Sequence, residues 1–325
     1  MSDNDRPEER NPVVVCVVGP TATGKTNLAV RLVERFPFEI VSVDSAMIYR
    51  HMDIGTAKPG PHELSVAPHR LIDIRDPWQR YSAGEFCADA LQVIGEIRQS
   101  GRVPLLVGGT LLYFRALQHG LAELPAADPA LRRELDARGE AEGWPALHAE
   151  LARVDPVAAG RIAPGDRQRI QRALEVFALT GEPISELQRA GAPGPGMDFL
   201  RIALVPGDRA ALYERIEARF AKMMEAGFLG EVELLRGMAE MSADSPAMRA
   251  VGYRQLWAHL DGAADLATAM RGAMTASRRL AKRQLTWMRA DADELSFDCL
   301  DPTLAARVAE TVEARADAIF PEMRS

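Results

Sequence analysis

Apolar positions along the chain fall into two alternating rhythms. Val13-Val14-Val15-Cys16-Val17-Val18 is a continuous run, as are residues 39–43 and 103–107, and each has the length and density of a strand buried on both faces. Residues 27–36 instead carry apolar side chains at helical spacing. Residues 83–100 place Phe86, Ala90, Val93, Ile94 and Ile97 on one side of a second helix, with Gly101 as its stop. Strand, helix, strand, helix, strand predicts a doubly wound parallel sheet. Each run ends in small polar residues: a Gly-rich stretch after Val18, Asp44-Ser45, and Gly108-Gly109-Thr110. Ligands of such sheets bind beyond the carboxyl ends of the strands, so three loops are expected to converge on one pocket.

From about residue 124 the pattern changes to short helices. Asp128-Pro129 and Asp155-Pro156 read as helix starts, with Gly143-Trp144 between them and no strand pattern before Phe199. The stretch closes on Ala190-Gly191-Ala192-Pro193-Gly194-Pro195-Gly196. Residues 200–205 then read as a strand rejoining the sheet, and 209–224 and 277–288 as long helices. The expected organisation is a first part of the core in residues 1–123, a helical insertion in 124–196, and completion of the core in 197–325.

The turn after Val18 carries the first chemistry. Gly19-Pro20-Thr21-Ala22-Thr23-Gly24-Lys25-Thr26 matches GxxxxGK[ST], placed after a strand and before a helix as phosphate binding requires. Backbone N–H groups and the helix start form an anion nest, Lys25 reaches the distal phosphates, and the Thr26 hydroxyl is the candidate ligand for magnesium. The fold class is therefore α/β, a P-loop NTPase-like parallel sheet with flanking helices and a helical insertion domain.

Composition narrows the rest. In 325 residues, 47% hydrophobic content is ample for a packed core. Cys16, Cys87 and Cys299 lie far apart without a CxxC pair, which supports neither a zinc site nor a disulfide framework and fits a reduced cytosol. The polar N-terminal residues 1–12 lack the apolar core of a signal peptide, and no stretch approaches a membrane span, so a soluble, cytoplasmic, monomeric protein is expected. A net charge of −7 argues against coating nucleic acid by bulk electrostatics. Its distribution argues otherwise: Arg271, Arg278, Arg279, Lys282, Arg283 and Arg289 form one basic cluster, and Arg161, Arg167, Arg169 and Arg172 another. Either cluster alone reads as a solvated helix face; two on an acidic chain point to a localised polyanion site.

Around the nest stand three further candidates. Asp44 is a general base, a magnesium-associated carboxylate or a turn cap. Thr110, after two glycines, either meets a phosphate or bridging oxygen or caps the helix that follows. Arg215 and Arg219, four apart, either clamp an anion or pair with Glu214 and Glu217. Three classes fit these residues: a small-molecule kinase using ATP, a transferase expelling pyrophosphate, and an RNA-binding module switched by nucleotide.

Six blocks carry a resemblance: GPTATGKT at 19–26, VDSAMIYRHMDIGTAKP at 43–59, LLVGGTLLYFRAL at 105–117, DRQRIQRALEVF at 166–177, RAVGYRQLW at 249–257 and AKRQLTWMR at 281–289. In this order they resemble the tRNA dimethylallyltransferases, or tRNA isopentenyltransferases, of bacterial type. The resemblance implies transfer of a dimethylallyl group from dimethylallyl diphosphate to the exocyclic amine of adenosine 37 in tRNA, with magnesium and release of pyrophosphate. It reassigns the nest at 19–26 to the prenyl diphosphate and makes Asp44, Thr110 and Arg219 catalytic: Asp44 accepts or orients the amine proton, Thr110 meets the bridging oxygen and Arg219 clamps the diphosphate. It also implies tRNA contact by Asp44, Ser45, Ala46 and Met47, by Gln168, Arg169, Ile170, Gln171 and Arg172, by Arg249, Ala250, Val251, Gly252, Tyr253 and Arg254, and by Lys282, Arg283, Gln284, Leu285, Thr286, Trp287, Met288 and Arg289. The helical insertion would grip the anticodon stem.

Overall fold

The computed structural model describes residues 13–191, 194–289 and 294–320. The polar N-terminus and Ala192-Pro193 of the connector lie outside them. Two compact units emerge: one is the chain up to Ala116 and from Gly196 onward, the other Leu117–Pro195.

The first unit opens with β1 (Val13–Val18), α1 (Lys25–Arg35), β2 (Phe38–Val43), α2 (Pro61–Val66), β3 (His69–Arg70), α3 (Ala83–Gln99), β4 (Val103–Gly108) and α4 (Leu111–His119), the last running across the boundary between units. The helical unit continues through α5 (Pro129–Glu142), α6 (Trp144–Val154), α7 (Pro156–Arg161), α8 (Arg167–Thr180) and α9 (Ile184–Ala190). The first unit resumes with β5 (Asp198–Val205), α10 (Arg209–Glu225), α11 (Phe228–Arg236), α12 (Tyr253–Leu260), α13 (Leu266–Met288), β6 (Glu294–Asp298), α14 (Leu304–Glu313) and α15 (Ala316–Ile319).

All described strand pairs are parallel, in the order β3-β2-β4-β1-β5-β6. The apolar runs explain the middle of that order. Val14 to Val18 of β1 have no exposed surface, and β1 lies between β4 (Val15 opposite Leu105) and β5 (Val15 opposite Leu200). One core collects Val15, Val17, Leu28, Leu32, Ile40, Leu105, Ile202 and Leu204 with Val308 and Val312 of α14. Full burial of side chains of this size contributes about 1.5–3 kcal/mol each.

The two edge strands were not expected from the sequence. β3 is only two residues long, below any readable periodicity. In β6, Leu295 and Phe297 alternate with Ser296 and Asp298, the pattern of a strand with one wet face rather than a buried run. Helix α13 begins eleven residues before the expected start, at Leu266, where Asp265 caps it by accepting from Thr268 N.

Within the helical unit both Asp-Pro signals start helices as read: Asp128 accepts from Ala130 N and Leu131 N, and Asp155 from Ala158 N. Its first boundary lies nearer residue 117 than 124, because the returning connector packs beside the end of α4. A Cβ on Gly194 would stand 2.7 Å from the Gln118 carbonyl oxygen. Leu135, Leu147, Leu151, Ile170, Leu174 and Val176 form the unit's own core. No helix among the described residues is long and apolar enough to cross a membrane.

Candidate active site

The loops after β1, β2 and β4 are neighbours because the strands are. After β1, Gly19 is obligatory: a Cβ there would meet Thr23 Oγ1 at 2.8 Å and the Leu204 carbonyl oxygen at 2.9 Å. Gly24 turns the chain into α1 with φ at 82°, in the left-handed region that favours glycine. Thr23 is buried and donates to Pro20 O at 2.9 Å, and Lys25 Nζ donates to the same carbonyl at 2.7 Å, so the loop is closed from inside. Helix α1 has neither a side-chain cap nor an acidic residue in its first turn, which leaves the positive end of the helix open to an anion.

Charge is concentrated at this end of the sheet. Burial pulls the Lys25 ammonium down to about 8, the Arg219 guanidinium adds to that, and the Asp44 carboxylate opposes it. Burial likewise lowers the Arg219 guanidinium, again opposed by Asp44. Lys25, Arg219 and Asp44 therefore lie within electrostatic range of one another: two cations held partly out of water beside one carboxylate. Asp44 Oδ1 accepts from Ala46 N at 2.8 Å and Met47 N at 3.3 Å, so the turn-cap reading is correct for one oxygen and leaves Oδ2 for other work. The Thr110 hydroxyl accepts from Ser45 N at 3.0 Å and donates to Ser45 Oγ at 3.3 Å. These bonds tie the β4 loop to the β2 loop, with the exposed Ser45 Oγ taking the hydroxyl proton. Arg215 and Arg219 do not act as a pair, since Arg215 Nη1 donates to Cys299 O at 3.1 Å while Arg219 Nη2 donates to Thr56 O at 3.4 Å.

The blocks expected to touch RNA divide by exposure. Ser45, Gln168, Arg169, Arg249, Arg254, Lys282, Arg283, Thr286, Trp287 and Arg289 are exposed, and Ala46, Met47, Ala250 and Val251 half-buried. Others face inward or are engaged within the protein. Ile170 is fully buried in the helical core. Leu285 packs with Leu212, Ile216 and Ala281 against Ala22 of the phosphate loop, Met288 is buried, and Gly252 and Tyr253 are buried beside Phe228. Gln171 donates to Asp136 Oδ1 at 2.6 Å, and Arg172 bonds Glu175 at 2.6 Å and Pro125 O at 2.8 Å, so both are committed to their own unit. Blocks of adjacent residues on a helix necessarily include its inward face.

Gln284 bridges two loops. Its Oε1 accepts from Thr21 N at 3.2 Å and its Nε2 donates to Gly109 O at 2.8 Å, so a residue of α13 joins the phosphate loop to the β4 loop. Gly109 makes room for it: a Cβ there would lie 2.6 Å from Gln284 Nε2.

Two groups near the site escaped the sequence reading. Lys58, nearly buried, pairs with Asp53 and Asp73 at 2.6 Å each, and Glu231 is a buried carboxylate on α11. The second had a signal: Phe228, Glu231, Val232 and Leu235 share one helical face, and a carboxylate on an apolar face needs donors.

The model of the family described as IPP transferase matches residues 47–291, and that described as isopentenyl transferase matches residues 12–77. The tRNA dimethylallyltransferase of Bordetella petrii is 55% identical over 303 residues, covering 92% of this chain and 96% of the relative. That of Paraburkholderia xenovorans is 54% identical over 310 residues, covering 94% and 98%. Among solved structures, the tRNA isopentenylpyrophosphate transferase of Bacillus halodurans aligns with a TM-score of 0.69 at 37% identity, covering 95% of this chain and 97% of that one. A eukaryotic dimethylallyltransferase acting on tRNA shares the fold, with a TM-score of 0.78 at 23% identity over 94% of this chain and 79% of its own. With more than half of the chain matched by one family model, over a phosphate loop, a carboxylate and a guanidinium gathered at the strand ends, the chain belongs to the IPP transferase family.

Proposed function

We propose that this chain transfers a dimethylallyl group from dimethylallyl diphosphate to the exocyclic N6 amine of adenosine 37 in tRNA, releasing pyrophosphate. The observation that carries the reading is the grouping of Lys25 and Arg219 with Asp44. Cations alone would serve any phosphate reaction, but an acceptor beside them serves a proton-bearing nucleophile.

The bond between the allylic carbon and the bridging oxygen breaks as the amine lone pair bonds to that carbon, and the electron pair leaves with pyrophosphate. Negative charge therefore grows on the diphosphate. Lys25, Arg219 and the amides of residues 22–26 stabilise it in place, without the reorganisation that water would need. The Thr110 hydroxyl turns from Ser45 Oγ to donate to the bridging oxygen. Asp44 Oδ2 accepts the amine proton, and position rather than strong basicity makes it effective. Magnesium, when bound, offsets the charge of the leaving diphosphate. The Thr26 hydroxyl would hold it, and no cluster of three or more His, Cys, Asp or Glu side chains able to bind a metal occurs among the described residues.

An adenine stacked in the anticodon loop cannot reach this recess, so the base is everted into it. Exposed Lys282 and Arg283 on α13, Arg289 at its C-cap, and Arg249 and Arg254 supply phosphate contacts for the RNA, and the helical unit by itself offers the exposed Arg169. The protein acts as a soluble cytoplasmic monomer.

The test is incubation with tRNA and labelled dimethylallyl diphosphate, in parallel with labelled ATP. Label entering RNA at adenosine 37 from the prenyl donor is the expected result. Phosphate transfer from ATP without prenylation would replace this reading with the kinase.

A further inference from the structure

Residues 53–56 are braced by a side chain that takes no part in the chemistry above. The backbone N–H groups of Asp53, Ile54 and Gly55 all donate to the Glu231 carboxylate, at 2.8, 2.7 and 3.0 Å. Successive amides aimed at one point form a concave cradle of the kind that receives phosphate; here the chain's own carboxylate fills it. Tyr253 Oη completes the set, donating to Glu231 Oε1 at 2.6 Å. The fit is tight on the other side too, since a Cβ on Gly55 would stand 2.1 Å from Phe228 Cε2 and 2.6 Å from Tyr253 Cε2. One residue further on, the Thr56 hydroxyl donates to Met52 O at 2.6 Å, and the Thr56 carbonyl accepts from Arg219 Nη2.

The brace therefore ends at a group of the active site. A guanidinium on a long stem has many rotamers, and an acceptor fixed behind it selects one. The Thr56 carbonyl can do so only if its loop has a single conformation, which the four donors to Glu231 impose. We propose that Glu231, supported by Tyr253, is a positioning residue for diphosphate binding: it fixes the 53–56 loop so that the Thr56 carbonyl holds Arg219 toward the phosphates. This rests on the transferase reading and on Arg219 meeting the diphosphate. Tyr253, which the resemblance assigned to RNA, acts here through Glu231 instead.

A double-mutant cycle on pyrophosphate binding tests it. Calorimetric titration of pyrophosphate with magnesium present compares the natural protein, Glu231→Gln, Arg219→Met and the double variant. Gln keeps the shape of Glu231 but turns an N–H donor toward the loop amides. With Arg219 in place, Glu231→Gln should weaken pyrophosphate binding roughly tenfold; in the Arg219→Met background it should change binding by less than about twofold, since the group it acts through is gone. Equal losses in both backgrounds, or none in either, overturn the proposal, because a carboxylate that only stabilises the fold would not care which residue stands at 219. Tyr253→Phe, which keeps the ring packed and removes one donor, gives the same cycle should Glu231→Gln fail to fold. Its loss should be smaller in the natural background and absent in the Arg219→Met background. Prenyl transfer by the natural protein is measured alongside: its absence would fault the transferase reading, whereas transfer with an additive cycle faults this inference alone.

Discussion

Gln284 of α13 holds the Gly109 carbonyl through Nε2 while its Oε1 holds the Thr21 amide, so one side chain sets the separation of the phosphate loop from the loop that carries Thr110. Both contacts are made by one planar amide, so neither loop can shift without breaking a bond. Gln284→Ala should lower kcat/KM for the prenyl diphosphate by roughly tenfold, the size expected for two lost hydrogen bonds at a partly buried site. Its affinity for tRNA should stay within about twofold, because Lys282, Arg283 and Trp287 keep their exposed positions. Steady-state kinetics with a filter-binding assay separate the two quantities. A loss confined to tRNA affinity would return Gln284 to the RNA surface.

Lys25 gives the site an alkaline limit. Burial and the neighbouring Arg219 bring its ammonium down to about 8, so in the free protein it loses charge as pH rises through that value. A bound diphosphate favours the charged form, so binding takes up a proton above pH 8 and apparent affinity falls by up to about tenfold per further pH unit. Calorimetry of pyrophosphate binding at pH 8.5 in two buffers of different ionisation enthalpy measures that uptake directly. The expected value is a substantial fraction of one proton, abolished in Lys25→Met. Zero uptake in the natural protein would mean that Lys25 is already charged at that pH.

Asp44 has opposite effects on binding and on chemistry. Its carboxylate raises both Lys25 and Arg219, and as an anion it also repels a diphosphate. Asp44→Asn should therefore keep or improve pyrophosphate affinity near pH 7 while kcat falls by about 10²–10⁴, the range for loss of a proton acceptor. The alkaline limit should also move to lower pH, since the group holding Lys25 protonated is gone. Parallel loss of affinity and turnover would instead make Asp44 a structural cap only, through its bonds to Ala46 N and Met47 N.

The central strands and the phosphate loop were legible because their rules are local. A continuous Val run, a glycine where no Cβ fits and a following amphipathic helix occupy adjacent residues, and the structure places each as read. Edge strands escaped because β3 and β6 have no buried run to display. The bridging contacts of Gln284, and Glu231 altogether, escaped for a different reason: their partners lie 263 and about 177 residues away, and nothing in the sequence near Thr21 or Gly55 says which distant side chain meets their amides. The resemblance named Gln284 but not the direction it faces, and none of its blocks includes Glu231. Adjacent residues on a helix share a motif and not a surface, as Arg169 beside Ile170 shows.

That division yields a contrast within one helix. Arg169 of α8 is exposed and held only loosely to Asp166 at 3.5 Å, so Arg169→Ala should weaken tRNA binding and reduce the magnitude of its salt slope by about one. Arg172, three residues on, belongs to a buried set: Glu175, with no exposed surface, accepts from Arg172, from Arg132 at 2.8 and 2.9 Å and from Asp128 N at 2.9 Å. Removing Arg172 leaves that carboxylate short of one cation, which should cost about 1–3 kcal/mol of unfolding free energy and lower the melting temperature. Ile170→Ala opens a cavity in the same core and should cost about 2–5 kcal/mol. Thermal denaturation and salt-dependent tRNA titration, run on all three variants, should move Arg169→Ala only in the second measurement. Ile170→Ala and Arg172→Ala should move chiefly in the first. A full-size drop in salt slope for Arg172→Ala would show that its guanidinium leaves Glu175 for an RNA phosphate when the complex forms.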